Sequence, residues 1–225
     1  MRLIAHRGFA GQHPENTLRA VRSAAECADE VEVDVRRCDS GELVAIHDAS
    51  VDRVTDGSGP VCRHSLAELR DLRVLDTDET VPTLEEVLDA VPPTVGVNIE
   101  LKEVGLADDA VRLARSAEPQ VCVSSFHANE LEGCRGADCE VPRAYLFDEA
   151  SDQAMEFARD LDCSFVHPSL DCCTERLVGD AHAAGMSVNV WTVREATEAE
   201  QLADLGVDGV IADFADVLPE AEPPR

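Results

Sequence analysis

Short apolar runs and longer amphipathic stretches alternate along the chain with few interruptions. Strand-like runs occur at 2–5, 31–35, 95–101, 121–126, 142–147, 164–168, 187–193 and 207–212. Stretches with apolar positions three and four apart lie between them, at about 15–28, 83–90, 106–117, 127–134, 151–161, 174–184 and 195–204. Thr83 before Leu84-Glu85-Glu86 and Ser151 before Asp152 read as N-caps, and Gly185 and Gly206 stand where a left-handed residue ends a helix. Eight strands separated by seven helices predict an all-parallel sheet. At 225 residues this is a closed (β/α)8 barrel, a TIM barrel in the α/β class. A doubly wound open sheet is the alternative, and no G-x-G-x-x-G follows the first strand to support it.

One run stands outside this count. Leu43-Val44-Ala45-Ile46-His47-Asp48 follows the second strand through Asp39-Ser40-Gly41-Glu42, which reads as a two-residue hairpin turn with glycine at its second central position. Pairing Asp39 with Glu42 would set Asp34 opposite His47, with both side chains on one face. This hairpin opens an insertion of about residues 38–80, with a short helix near 65–72. The segment 1–218 therefore reads as a single barrel domain, and the Pro/Glu-rich 219–225 as a flexible acidic tail.

Charge changes the picture. Forty-six acidic residues against 19 basic give a formal net charge of −27, which repels nucleic acid and anionic lipid. The basic set holds eighteen arginines and one lysine, Lys102. An acidic, lysine-poor chain with 44% hydrophobic residues reads as halophilic, since concentrated salt screens self-repulsion within ~3 Å at 1 M. No apolar run approaches the ~18 residues of a membrane span, and the N-terminus lacks the apolar core of a secretory leader, so a cytoplasmic protein without stable membrane association is expected. Nine cysteines without a C-x-x-C pair carry no zinc pattern; Cys27, Cys122 and Cys163 read as small buried hydrophobes in a reducing compartment.

In a barrel of this kind the reacting groups stand at the C-terminal ends of the strands. Strand one ends in His6-Arg7. Strand two carries Glu32 and Asp34 on one face, and the next barrel strand carries Glu100 and Lys102 on one face. With His47 from the hairpin, three carboxylates, two histidines, an arginine and a lysine converge. Val31-Glu32-Val33-Asp34-Val35 can be read two ways. Carboxylates pointing outward would leave the valines to fill the barrel; carboxylates pointing inward would need a cation to share them. The repeat of charge inside a strand at Glu100 and Lys102 favours the second reading. Glu32, Asp34 and Glu100 then form an all-oxygen site suited to one divalent cation, Mg²⁺ or Ca²⁺. A lone lysine retained beside that site suits a phosphate oxygen.

These residues belong to a longer ordered set: His6-Arg7-Gly8, Pro14-Glu15-Asn16-Thr17, Glu32 and Asp34 before the 39–41 turn, His47-Asp48, Asp52-Arg53 with Thr55, and Gly57 with Gly59. It continues through Pro82-Thr83-Leu84, Glu100 with Lys102, Ser125-Phe126, Val190-Trp191-Thr192, and Gly206 to Ile211 ahead of Asp213. The chain resembles the glycerophosphodiester phosphodiesterase family, in the barrel superfamily shared with phosphoinositide-specific phospholipases C. The resemblance implies metal-dependent hydrolysis of a small glycerophosphodiester to glycerol phosphate and an alcohol. Glu32, Asp34 and Glu100 would hold the metal, His6 and His47 would be the acid/base pair, and Arg7 and Lys102 would steady the phosphate. Trp191 and Phe126 are either packing at the barrel top or a wall beside the glycerol, and Glu15-Asn16-Thr17 is support for the His6-Arg7 loop. The family pattern is broken at three places. Arg194 replaces the usual asparagine after the Trp-Thr-Val run, Ala212 and Ala215 replace a threonine and a proline around Asp213, and the glycine that often precedes Glu32 is missing. Two other functions compete: a phospholipase on intact lipid, which would want an apolar rim or basic patch, and a non-catalytic cation- or phosphate-binding barrel, which need not keep both histidines. His13, His64, His127, His167 and His182 read as core, rim or surface histidines, His167 being the one nearest the mouth. Oligomeric state is not written in the sequence.

Overall fold

The computed structural model describes residues 1–149 and 152–218. In chain order the elements are β1 (Arg2–Ala5), α1 (Leu18–Ala24), β2 (Glu30–Arg37), β3 (Leu43–Ala45), α2 (Leu66–Asp71), α3 (Leu84–Ala90), β4 (Gly96–Leu101), α4 (Ala107–Ser116) and β5 (Val121–Ser125). They continue with α5 (Ala128–Ala137), β6 (Arg143–Phe147), α6 (Asp152–Asp160), β7 (Phe165–Pro168), α7 (Glu175–Ala183), β8 (Ser187–Val193), α8 (Ala196–Leu205) and β9 (Gly209–Ala212). The sheet runs β1-β9-β8-β7-β6-β5-β4-β2, and β1 pairs again with β2 to close it. All eight barrel strands are parallel, and β3 alone pairs antiparallel, on β2. The fold is the expected TIM barrel. The proposed cap Ser151 and the 219–225 tail lie outside the described residues.

The period-two pattern decides which side of each strand meets the helices. Val31, Val33 and Val35 are fully buried in the main core with Leu3, Ala5, Val97, Ile99 and Leu101 and with Val21, Ala24, Val87 and Leu88 from the helices. Burying each such side chain contributes ~1.5–3 kcal/mol. Glu32 and Asp34 therefore face the other way, into the barrel, and the reading in which the valines fill the interior is excluded. β2 and β4 lie in register with Glu32 beside Asn98 and Asp34 beside Glu100.

The insertion has its own small core. Cys38, Val44, Ile46, Val51, Val54, Val61, Leu69, Val74 and Val81 pack together under α2, away from the barrel core. Its hairpin corrects the expected register. The Cys38 N–H donates to the Glu42 carbonyl, so the loop is three residues long, and Gly41 takes φ 104°, where a side chain would be strained. Val35 then pairs with Ala45, and Asp34 lies opposite Ile46 rather than His47. His47 stands in a bend beyond the end of β3.

Two further expectations change. The first helix is shorter than 15–28 because Asn16 adopts φ 58° and Thr17 caps the helix by accepting the Ala20 N–H, which leaves 14–17 free for the site. Cys27 is exposed, on the turn after α1, not a buried hydrophobe; Cys122 and Cys163 are buried as expected.

Candidate active site

The His6-Arg7-Gly8 turn is shaped by close packing. Gly8 has φ 74°, and a Cβ there would lie 2.8 Å from the Ala20 backbone, so only glycine lets the turn rest on α1. Arg7 itself takes φ 51°. Its backbone N–H donates to Glu32 Oε2 at 2.9 Å, its Nε is ion-paired with Asp34 Oδ2 at 3.0 Å, and its Nη1 donates to Glu15 Oε1 at 3.0 Å. Asn16 completes the support: Nδ2 donates to Asp34 Oδ2 at 2.9 Å, and Oδ1 accepts the Asp34 N–H at 3.2 Å.

Glu32, Asp34 and Glu100 are all buried, and each offers an oxygen within 4.8 Å of the others. Glu32 Oε1 and Asp34 Oδ1 are buried without a hydrogen-bond donor, as is Oδ1 of neighbouring Asn98. Lys102 Nζ donates to Glu100 Oε1 at 2.5 Å and lies 3.5 Å from Asp34 Oδ1. Burial, then the Asp34 and Glu100 charges, push Glu32 well above the usual carboxylate range. Burial and then Asp34 push Glu100 up to about 7, against the pull of Lys102. Burial opposes ionisation of Asp34 too, but Arg7, Lys102 and both histidines together hold it low. Three crowded carboxyls with unsatisfied oxygens and no thiol or imidazole among them fit a hard divalent cation, which would supply the missing positive charge.

Each of the two histidines has a carboxylate on Nδ1. His6 Nδ1 lies 2.6 Å from Asp213 Oδ1, and Asp213 Oδ2 accepts from Arg194 Nε at 2.8 Å. His47 Nδ1 lies 2.6 Å from Asp48 Oδ1, and Asp48 Oδ2 accepts from Arg53 Nε at 2.6 Å. The Arg53 hydrogen bond leads in holding Asp48 well below the usual carboxylate range. Burial acts against Asp213, but His6 and Arg194 outweigh it and keep that group low as well. An ionised carboxylate only accepts, so Nδ1 carries the proton and Nε2 of each ring is left free to accept one. Arg53 also grips Glu15 with both terminal nitrogens at 2.8 Å, joining the His47 arm to the Arg7 arm.

A cleft of about 320 Å³ opens at the C-terminal end of the barrel, lined by His6, Arg7, Glu32, His47, Glu100 and Lys102 on its charged side. Phe126, Leu146 and Trp191 line its apolar side, with Phe126 and Trp191 edge to face at 5.5 Å. Every residue singled out from the sequence thus lines this cleft except Asp34, which lies fully buried behind Arg7. His167 does not reach it; it is buried inside the barrel against Asn189. Four neighbours of these side chains were not singled out: Asp48, Asp213 and Arg53, present only as motif members, and Asn98. Asn98 was readable, since it continues the Glu100, Lys102 alternation one step back. Asp213 was not, because only barrel closure brings it to His6.

This site defines a phosphodiester-hydrolysing barrel. The sequence profile of the glycerophosphoryl diester phosphodiesterase family matches residues 6–217, and the chain belongs to that family, an enzyme of the phosphoric diester hydrolase class. Among its relatives, a glycerophosphodiester phosphodiesterase of Caldanaerobacter subterraneus is 30% identical, over 96% of this chain and 95% of the relative. An Oleispira antarctica phosphodiesterase, solved with its product sn-glycerol-3-phosphate, superposes with a TM-score of 0.89 at 31% identity, covering 96% of this chain and 94% of that one. A Thermotoga maritima glycerophosphodiester phosphodiesterase gives a TM-score of 0.84 at 26% identity, covering 96% of each chain.

Proposed function

We propose that this chain hydrolyses small glycerophosphodiesters to glycerol phosphate and an alcohol. The observation that carries the reading is the cleft lined together by two carboxylate-paired histidines, by Arg7 and Lys102, and by Glu32 and Glu100 of the buried acidic trio. Glu32, Asp34 and Glu100 would hold one divalent cation, Mg²⁺ or Ca²⁺, which when bound neutralises phosphate charge. Arg7 and Lys102 steady the anionic phosphoryl oxygens, Arg7 being fixed for this by Glu15 and Asp34. One histidine takes at Nε2 the proton of the attacking group, which is water, or a neighbouring glycerol hydroxyl whose cyclic product water then opens; as the P–O bond to the alcohol breaks, the other histidine delivers a proton to the departing alkoxide. Burial is the leading influence on His47 and lowers its pKa, against the pull of Asp34 and Asp48, which favours the neutral, proton-accepting ring. Trp191 and Phe126 would form the apolar wall beside the glycerol carbons.

Release of glycerol phosphate from glycerophosphocholine in high salt tests this reading. We expect turnover that is lost on exhaustive chelation and restored by Mg²⁺ or Ca²⁺. Full activity after chelation would remove the cation from the proposal, and no release under any condition would remove the substrate class.

The same reading places the protein in the cytoplasm of a salt-loving cell, supported by the −27 charge, the eighteen arginines to one lysine and nine cysteines free of disulfides. No helix among the described residues is long and apolar enough to cross a membrane. Self-repulsion at this charge destabilises the compact state in dilute buffer. We expect the melting temperature to climb steeply with KCl up to molar levels; a flat profile would overturn the halophilic reading.

A further inference from the structure

The cations inside the cleft are already committed. Arg7 is shared between Asp34 and Glu15, and Lys102 between Glu100 and Asp34. Arg194 is different. It lines the cleft from the end of β8, its side chain is 61% exposed, and only its Nε is tied down, to Asp213 Oδ2. Its two terminal nitrogens hydrogen-bond to nothing among the described residues.

We infer that Arg194 is a specificity-determining residue that selects diesters whose alcohol half carries an anionic group, a carboxylate or a phosphate monoester. The inference rests on the diesterase reading above. The phosphoryl group to be cleaved is provided for by the acidic trio on β2 and β4, with Arg7 from the turn after β1 and Lys102 just beyond β4. Arg194 lines the same cleft from just beyond the end of β8, on the wall that carries Trp191 and Thr192, and we take that wall to be where the alcohol half of the diester lies. Anchoring at Nε fixes the guanidinium plane and leaves a two-nitrogen fork, the geometry that grips carboxylate or phosphate in a bidentate manner. A neutral or cationic alcohol would gain nothing from that fork.

The test is kcat/KM on two matched pairs, each differing by the anion alone. Glycerophosphoserine is compared with glycerophosphoethanolamine, and glycerophosphoinositol 4-phosphate with glycerophosphoinositol. The assays are run at molar salt, where long-range attraction is screened within ~3 Å and a surviving preference reports direct contact. We expect the wild type to prefer the anionic member of at least one pair by roughly fivefold or more, expressed mainly in KM, and the pair that responds tells carboxylate from phosphate. Arg194→Gln should bring that ratio close to one, and Arg194→Lys should keep part of it. Arg194→Gln also removes a donor from Asp213, so all four rates can fall together; the ratio is what decides. A wild-type ratio near one, or an equal loss on all four diesters in Arg194→Gln, would overturn the inference while leaving the diesterase reading in place. No turnover of any of the four by the wild type would overturn both.

Discussion

The two histidine arms of the site share one local arrangement but are built differently. In each, an imidazole Nδ1 meets an aspartate at 2.6 Å, and the aspartate is held by an arginine Nε. His6, Asp213 and Arg194 come from the ends of β1, β9 and β8, three strands that are neighbours in the sheet. That arm is a product of barrel closure, and its imidazole and carboxylate are 13% and 12% exposed. His47, Asp48 and Arg53 lie within seven residues of one another in the insertion, and the corresponding exposures are 32% and 29%. The insertion has a core of its own and reaches the barrel by the β2–β3 pairing and by the grip of Arg53 on Glu15. The barrel arm is positioned by topology, whereas the insertion arm is held at its backbone by Arg36 of β2, whose Nε donates to the His47 carbonyl at 2.8 Å, and at its side chains by a clamp. A clamp can be cut without touching the fold, and that makes the comparison breakable.

The largest effects belong to the rings themselves. His6→Ala and His47→Ala should each lower kcat by ~10²-fold or more with the barrel intact, the usual scale for a lost general acid or base. Near-normal kcat in either variant, with an unchanged melting profile, would demote that histidine to packing and end the symmetry between the arms.

The clamp comes next. Arg53 offers five donors in a rigid fork and uses three nitrogens on two carboxylates, Glu15 and Asp48. It lines no part of the cleft, so its effect must pass through His47 and Arg7. Arg53→Gln should lower kcat by ~10-fold and raise KM less, because the groups it releases stay present but lose their orientation. Arg53→Lys should recover little, since one ammonium cannot span both carboxylates. Wild-type kinetics for Arg53→Gln would show that Asp48 and Glu15 hold their partners unaided.

How far these two arms could be read from the sequence follows from the same difference. The barrel was legible because its apolar period is repeated eight times and the helices between are capped where expected, as at Thr83, whose side chain and Glu86 form a reciprocal cap. Carboxylates at alternate positions of β2 and a matching pair on β4 marked the acidic trio. Their direction, inward or outward, could not be decided locally, because it depends on which face the helices cover. The hairpin register failed by one residue: Asp39-Ser40-Gly41 suits a two-residue or a three-residue loop, and the Cys38 to Glu42 closure that decides between them is a tertiary outcome. His47 reached the site all the same, by the bend after β3. Asp48 sits next to His47 and was readable as its partner. Asp213 is 207 residues from His6, and only the meeting of β1 with β9 makes them neighbours.

A third histidine supplies the control for both arms, with the smallest expected effect. His167 is as much a strand residue as His6 is a strand-end residue, but it is buried in the barrel with Asn189 on Nε2 and, among the described residues, nothing on Nδ1. No carboxylate is paired with it, so burial, with some help from the Arg2 charge, lowers its pKa to about 3. Unfolded, it would titrate near ~6.5. Between those values the unfolded chain binds a proton that the folded chain refuses, so this residue adds stability above pH ~6.5 and loses it as pH falls toward 3. The slope at full effect is ~1.4 kcal/mol per pH unit. Acid also protonates the acidic trio and the surface carboxylates, but those groups are common to wild type and variant. We therefore expect His167→Gln, compared with wild type at constant salt, to show a shallower fall in unfolding free energy between pH 6 and pH 4, even if it is less stable at pH 7. Parallel curves would mean that His167 is protonated in the folded barrel, which would require an acceptor at Nε2, where the Asn189 amide now donates, and would remove the contrast with the two carboxylate-paired rings above it.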